Sequence, residues 1–504
     1  MKKLFSILLL FLIFSFQQTF SQNGFNEEAL DQYIKAAVDS LNVPGLAVGI
    51  VKDGNVIFAH GYGFRNTLTG DPIDPQTVFT IASCTKAFTA AAIGILVDEG
   101  KLNWDDIVTD YLPGFQLYDP YVTKEMRISD LLTHRSGLTT FDGDLLWYGT
   151  DYSRKDVVHR IRELPLKNGF RYKYGYQNVM FITAGEVIES VTGKTWDDFL
   201  KERIFKSIGM NSTSTTKQEL LNTKDKAFPH LNKEPMEFLN YDNCGPAGSI
   251  NSNVDDLLKW VTMWLNNGKV NDEQIISPAS IRMVTSSQTI LNGGPGNEIG
   301  GTHFRNYGMG WFLIDYSGRK VISHDGGLPG YMSRVLWVPE DNFGLVILTN
   351  ELSAILNPVA YKILDLFLND KDKDYITDAV ASIKRYQKYS DDNKEERNSK
   401  RVLNTNPSRK LEDYAGVYTD KMYGDAEITF KDVGLTLTMV PTKELFTGKM
   451  EHWHYDTFRI KFKDPFLPEG FVTFNFNSNA KITSFKIDLP NPDFHFYNLE
   501  FKKQ

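Results

Sequence analysis

Apolar and polar positions alternate in two distinct textures along this chain of 504 residues. In the first, apolar runs are long. Residues 46–51 and 56–60 are strand-like and flank Asp53-Gly54, which predicts a hairpin. Residues 78–82 are apolar and lead into 87–96, a run of Ala, Ile and Leu ending near Gly100, which reads as a buried helix. Residues 179–189 form a second helix-compatible apolar stretch, and 308–350 return to strand texture. Residues 371–410 are charged and poor in large apolar residues after Tyr386, which predicts a helix and then a linker. From Leu411 onward the second texture takes over. Short alternating runs at 426–430, 435–440, 458–462, 471–476 and 494–501 are separated by Gly, Asn, Asp and Pro, the pattern of an antiparallel barrel or sandwich. The expected fold class is α/β (α+β): an antiparallel sheet flanked by helices, a mainly helical lobe between its halves, and a C-terminal β-barrel-like domain.

The first residues form a separate unit. Met1-Lys2-Lys3 precedes an apolar run to Phe16 and then Gln17 to Ser21, the layout of a secretory signal cleaved after Ser21. The apolar run falls short of the roughly 20 residues a bilayer span needs, and no cysteine sits at the cleavage point to carry a lipid, so no stable membrane anchor is expected. The expected organisation is therefore signal peptide 1–21, main α/β domain 22–370, charged helix and linker 371–410, and β domain 411–504, exported to the periplasm or the extracellular space. Loss of Lys2 and Lys3 takes the formal charge from -8 to -10, which argues against nucleic acid as a partner. Only Cys84 and Cys244 occur, so no disulfide framework supports the fold. A bridge between the two is conceivable, and two buried free thiols are the default.

Candidate chemistry lies in three clusters. Ser-x-x-Lys occurs four times, at Ser83/Lys86, Ser214/Lys217, Ser317/Lys320 and Ser478/Lys481. Only Ser83 opens a buried helix, with Lys86 one turn on and on the same face. A lysine among Ala, Phe and Ile needs a partner or a shifted pKa, which makes it a candidate base for a serine nucleophile. Tyr176-x-Asn178 enters the apolar stretch that follows it, whereas the similar Tyr241-x-Asn243 does not. His324-x-Gly326, followed by Gly327, ends a strand-like run, and its glycines allow a backbone to approach a ligand closely.

Taken in order, these clusters resemble those of the serine beta-lactamase-related family, which includes class C beta-lactamases, D,D-peptidases, D-aminopeptidases and esterases. Residues 101–108, 130–138 and 245–249 strengthen the likeness, which covers roughly residues 28–370. The resemblance implies that Ser83 attacks a carbonyl, that Lys86 accepts its proton directly or through Tyr176, and that Tyr176 protonates the leaving group. It further implies that Asn178 orients the substrate amide and that backbone N–H groups of Ser83 and Gly327 form an oxyanion hole. No cofactor and no metal is implied; the partner is a small-molecule or peptide substrate. Where class C beta-lactamases have lysine this chain has His324, so either a cation facing a substrate carboxylate becomes conditional on pH, or a neutral His324 only hydrogen-bonds Tyr176 or substrate and senses no charge. Peptidase or esterase specificity is therefore favoured over beta-lactam hydrolysis. The rival reading from another class is an acyl- or penicillin-binding sensor that does not turn over. The C-terminal domain resembles lipocalin-like modules appended to some family members, and its composition break predicts a separable unit.

Other patterns carry less. His452-x-His454 lacks a third ligand nearby, so metal binding is disfavoured. Gly193-Lys194-Thr195 reads as a helix terminus rather than a phosphate loop. His134 reads as a hydrogen-bonded structural residue.

Overall fold

The computed structural model describes residues 25–291, 301–368 and 373–504; the expected signal segment, residues 1–21, lies outside them. Nine antiparallel strands form the main sheet, and the chain's early hairpin completes it. Gly45–Lys52 lies between Asn55–Asn66 and the late strand Phe343–Thr349, pairing Leu46 with Thr349 and Lys52 with Phe343. Asp53 and Gly54 turn the hairpin with φ 51° and 77°, the left-handed geometry the dipeptide favours. Both faces of the sheet are covered, which is why Phe343–Thr349 is buried at every position instead of alternating. On one face pack the helices Glu27–Ser40 and Leu356–Leu368, through Leu30, Ile34, Val359 and Ile363. On the other lies the helix Val254–Leu265, whose Trp260 stacks on Phe88 with ring centroids 3.9 Å apart.

The C-terminal region closes into an eight-stranded antiparallel barrel, from Gly416–Asp420 to Phe501–Lys503, with Tyr418 pairing Lys503 across the seam. Its strands bury alternate residues, as in Gly434–Met439, where Leu435, Leu437 and Met439 point inward. Tyr414, Tyr418, Phe458, Phe474, Phe485 and Phe501 fill the interior with ring contacts such as Phe485 on Phe501 at 4.8 Å. A small barrel filled in this way is a packed core rather than a cup. Ahead of it runs the 25-residue helix Tyr375–Ser399, exposed along most of its length. No helix among the described residues is long and apolar enough to cross a membrane.

The structure joins the two regions more tightly than the composition break predicts. One continuous apolar cluster contains both the catalytic-side Tyr148 and the barrel's Phe446, Phe494 and Phe496. Tyr148 packs on Phe494 with centroids 4.3 Å apart, Tyr152 Oη donates to Tyr423 O at 2.6 Å, and Arg160 donates to Met422 O at 2.9 Å. The barrel's rim packs against the segment spanning residues 139–168.

Candidate active site

Ser83 sits in a sharp connection. The strand Phe79–Thr80 gives way to a single 3-10 turn, Ala82–Cys84, and the α-helix proper is Thr85–Asp98, two residues later than the sequence predicts. Ala82 takes φ 48°, a left-handed conformation uncommon for a residue with a Cβ, so the turn holds local strain at the residue before the serine. Ala82 and Cys84 are buried, and Ser83 between them is partly exposed. Cys84 points away: its Sγ lies 3.1 Å from His324 O and 3.2 Å from Ser333 Oγ, and burial pushes its thiol up to about 12. Both cysteines are free and buried.

Lys86 is 0 % exposed, and its Nζ meets three oxygens: Ser83 Oγ at 3.0 Å, Asn178 Oδ1 at 2.6 Å and Ala247 O at 2.9 Å. Burial brings its pKa down to about 8, opposed by the neighbouring Cys244, Asp144 and Cys84. This shift corresponds to about 3 kcal/mol favouring the neutral amine. Two of the three oxygens are carbonyls that can only accept. In the neutral amine they take both N–H bonds, which leaves the lone pair facing Ser83 Oγ, the sole partner able to donate a proton.

Tyr176 and Asn178 enter from the loop that opens the helix Asn178–Thr192. The Tyr176 ring lies 4.7 Å from Lys86 Nζ, and the nearby Ser83 side chain acts on its phenol. Burial holds this phenol well above its ordinary range, only partly offset by Ser83, so it stays protonated and serves as a donor rather than a base. His134 braces this loop. Its Nδ1 accepts from Gln177 N–H at 2.9 Å and its ring lies 4.2 Å from that of Tyr176, while burial keeps it neutral. The similar Tyr241 and Asn243 lie elsewhere: Asn243 Nδ2 donates to Trp147 O and Tyr152 O, holding a loop together.

The strand Arg319–Leu328 carries His324, Gly326 and Gly327 past the serine turn. A Cβ on Gly326 would lie 2.2 Å from Ile81 O, so glycine is what permits the strand to press against the turn. Gly327 faces open space, and pairing with the neighbouring strand Phe312–Tyr316 stops at Ser323, leaving that strand edge free beside Ser83. His324 is placed differently from the charge-sensing role. It is 0 % exposed, with Nε2 3.1 Å from Tyr307 Oη and Nδ1 2.6 Å from Asp325 O. Burial, helped by the Lys86 charge, brings its pKa down to about 3, so it is neutral at physiological pH and presents no cation to the cleft. Asp325 is engaged by Arg334 at 2.5 Å. His452 and His454 are taken up locally: His452 Nε2 bonds Tyr455 O, and His454 Nδ1 accepts from Val402 N–H.

Sequence reasoning missed Asp144. This acid, 2 % exposed, holds Asn178 Nδ2 at 2.7 Å and Trp147 Nε1 at 2.9 Å. In the sequence it stands between Asp142-Gly143 and the apolar run Leu145 to Tyr148, a turn-like context that gives no sign of its burial.

This geometry is that of the beta-lactamase fold. The chain belongs to the beta-lactamase family, whose model matches residues 30–364; residues 400–503 match a family described as Domain of unknown function (DUF3471). It is 30% identical over 335 residues to an unguisins hydrolase of Aspergillus campestris, covering 63% of this chain and 60% of that protein. The chain thus spans about 60% of the length of the fungal relatives it matches. Among solved structures, an octameric penicillin-binding protein homologue from Pyrococcus abyssi aligns over 95% of this chain and 100% of its own, with TM-score 0.61 and 23% identity. A D-amino acid amidase from Ochrobactrum anthropi SV3 covers 67% of this chain and 99% of its own, with TM-score 0.56 and 22% identity.

Proposed function

We propose that this chain is a serine hydrolase that cleaves an amide or ester bond of a small peptide-like or ester substrate through an acyl-enzyme on Ser83. The observation that carries the reading is the set of three oxygens around Lys86 Nζ, which directs its lone pair at Ser83 Oγ. In the first step neutral Lys86 takes the Ser83 proton while Oγ bonds to the substrate carbonyl carbon. Backbone N–H groups of Ser83 and Gly327 receive the oxyanion. Collapse of the adduct breaks the bond to the leaving amine or alcohol, to which the Tyr176 hydroxyl passes a proton that Lys86 resupplies. Water then attacks the ester as neutral Lys86 takes its proton, and collapse of that adduct releases the acid while Lys86 returns the proton to Ser83 Oγ.

The printed name of one relative, a hydrolase of unguisins, supports hydrolysis, and the D-amino acid amidase neighbour supports the fold. With His324 buried and neutral, the reading includes no carboxylate-binding cation from that strand. Export rests on the layout of residues 1–21 alone.

The test is parallel hydrolysis of p-nitrophenyl acetate, D-phenylalanine p-nitroanilide and a chromogenic cephalosporin by wild type and Ser83→Ala. Turnover of the ester or anilide that vanishes in Ser83→Ala supports the reading. A stoichiometric adduct that never turns over would make the chain an acyl-binding sensor, and preferential cephalosporin cleavage would make it a beta-lactamase.

A further inference from the structure

We propose that Asp144 is a positioning residue for the acylation step, locking the Asn178 side-chain amide so that Oδ1 faces Lys86 and the amine's lone pair faces Ser83. This rests on the Ser83/Lys86 reading above and concerns a residue outside all three clusters.

An amide side chain can be turned over with little change in shape, exchanging its donor and acceptor ends. Beside Lys86 the two orientations are not equivalent. With Oδ1 toward Nζ, Asn178 accepts an amine hydrogen; with Nδ2 toward Nζ, it would donate to the lone pair and draw it away from Ser83. Asp144 selects between them. Its Oδ2 accepts from Asn178 Nδ2 at 2.7 Å on the side opposite Lys86, which leaves Oδ1 at Lys86, 2.6 Å away; the selection is strict once Asp144 is ionised, from about pH 8 upward, because a carboxylate can only accept. The acid is fixed in turn. Trp147 Nε1 donates to its other oxygen at 2.9 Å, and the 3-10 turn Asp144–Leu146 starts from Gly143 in a left-handed conformation, φ 90°.

The charge of Asp144 also acts on Lys86. The groups facing Lys86 are Cys84 on the serine turn, Cys244, and Asp144, and the neutral rings of Tyr176, His134 and His324 stand around them. Asp144 is faced by Lys86 and by the barrel's Asp493. Burial pushes Asp144 up to about 8 against the hydrogen bonds of Trp147 and Asn178. Once ionised, Asp144 is the one carboxylate in this set that stabilises the Lys86 ammonium, and the two groups titrate over the same range near pH 8. Removing its charge therefore lowers the pH at which Lys86 gives up its proton, while freeing Asn178 to turn over lowers the rate of the correctly deprotonated enzyme.

The experiment uses full-length Asp144→Asn, with two readouts. Lys86 is titrated through its ε-carbon in protein carrying 13C-labelled lysine, its signal assigned by its absence in Lys86→Arg; kcat/KM for p-nitrophenyl acetate is measured against pH. The expected result is a Lys86 midpoint lower by at least about half a unit, an acidic limb of the rate profile displaced with it, and a plateau about 10- to 100-fold below wild type. An unmoved midpoint with a wild-type plateau overturns the proposal, as does a rate loss that tracks a fall in melting temperature with the midpoint unchanged. If Asp144→Asn fails to fold, Trp147→Phe removes only the second donor: a plateau reduced a few-fold at unchanged melting temperature supports the positioning role, and an unaltered plateau overturns it. A wild type that hydrolyses no ester but whose Lys86 midpoint still falls in Asp144→Asn would reject the hydrolase reading and leave the Asp144–Asn178–Lys86 linkage standing.

Discussion

The sheet domain and the barrel are both antiparallel β structures, yet they bury opposite kinds of residue at their centres. In the sheet domain the serine turn, the helix Asn178–Thr192 and the strand Arg319–Leu328 converge on a fully buried lysine ringed by polar atoms. In the barrel the interior is a stack of aromatic rings. A desolvated amine is costly to the fold and is kept only where its partners are fixed on several elements; a ring-filled barrel contributes apolar burial and needs no such partners. The comparison assigns chemistry to one region and support to the other. The support is specific, because the barrel grips the loop that carries the acid. Asp142 Oδ1 lies 2.8 Å from His495 Nδ1 and also accepts from Asn498 Nδ2 at 3.2 Å, two residues before Asp144.

The sharpest way to break the comparison is in the chemical region. Lys86→Met keeps the length and apolarity of the side chain and removes the amine; kcat/KM for an activated ester is expected to fall at least about 1000-fold with an unaltered circular dichroism spectrum. Retention of a tenth of the wild-type rate would return Lys86 to a structural role.

The next largest effect concerns the supporting region. Deleting residues 411–504 strips Tyr148 of Phe446 and Phe494 and leaves Asp142 without His495, so ester hydrolysis should drop about 10- to 100-fold and the melting temperature should fall. Full activity at an unchanged melting temperature would show that the barrel is an appendage after all.

Two adjacent glycines sharpen the same division within the sheet domain. Gly326→Ala places a methyl 2.2 Å from Ile81 O and should destabilise the fold by about 1–3 kcal/mol in denaturant unfolding. Gly327→Ala meets no atom within 4 Å, so it should unfold like wild type and act only on turnover. Equal melting curves for the two would contradict the close approach of strand and turn.

The smallest effect is at the interface itself. His495→Ala removes one hydrogen bond to a buried carboxylate, a loss of about 1–3 kcal/mol in stability, and should slow ester hydrolysis only a few-fold. Rate and stability both unchanged would remove the His495–Asp142 contact from the account.

What was legible in the sequence follows the range of the contacts. Ser83, Lys86, Tyr176 and Asn178 could be singled out because each lies at a junction of local patterns, an apolar strand into an Ala-rich helix or a loop into a core helix. The alternating runs after Leu411 announced a β domain because a period of two is a local property. Asp144 was not legible, since its significance lies in Asn178, 34 positions away in the chain. The burial of His324 was hidden for the same reason: its ring is enclosed by Tyr307 and Phe312 from other strands, and nothing in His324-Asp325-Gly326 distinguishes a histidine that faces the cleft from one beneath it. The barrel's grip on residues 139–152 depends on the rims of two domains and left no mark in either texture.

The central claim is that acyl transfer runs through Ser83 with neutral Lys86 as its base. It is tested most directly by acid-quenching the protein during turnover of p-nitrophenyl acetate at several pH values, then locating the acetyl group by peptide mass mapping. The account predicts one acetyl on Ser83, absent in Ser83→Ala, formed faster as pH rises through about 8, where Lys86 loses its proton. Acetylation of Cys84 or of Ser214, or a rate of Ser83 acylation that does not change across that range, would contradict it.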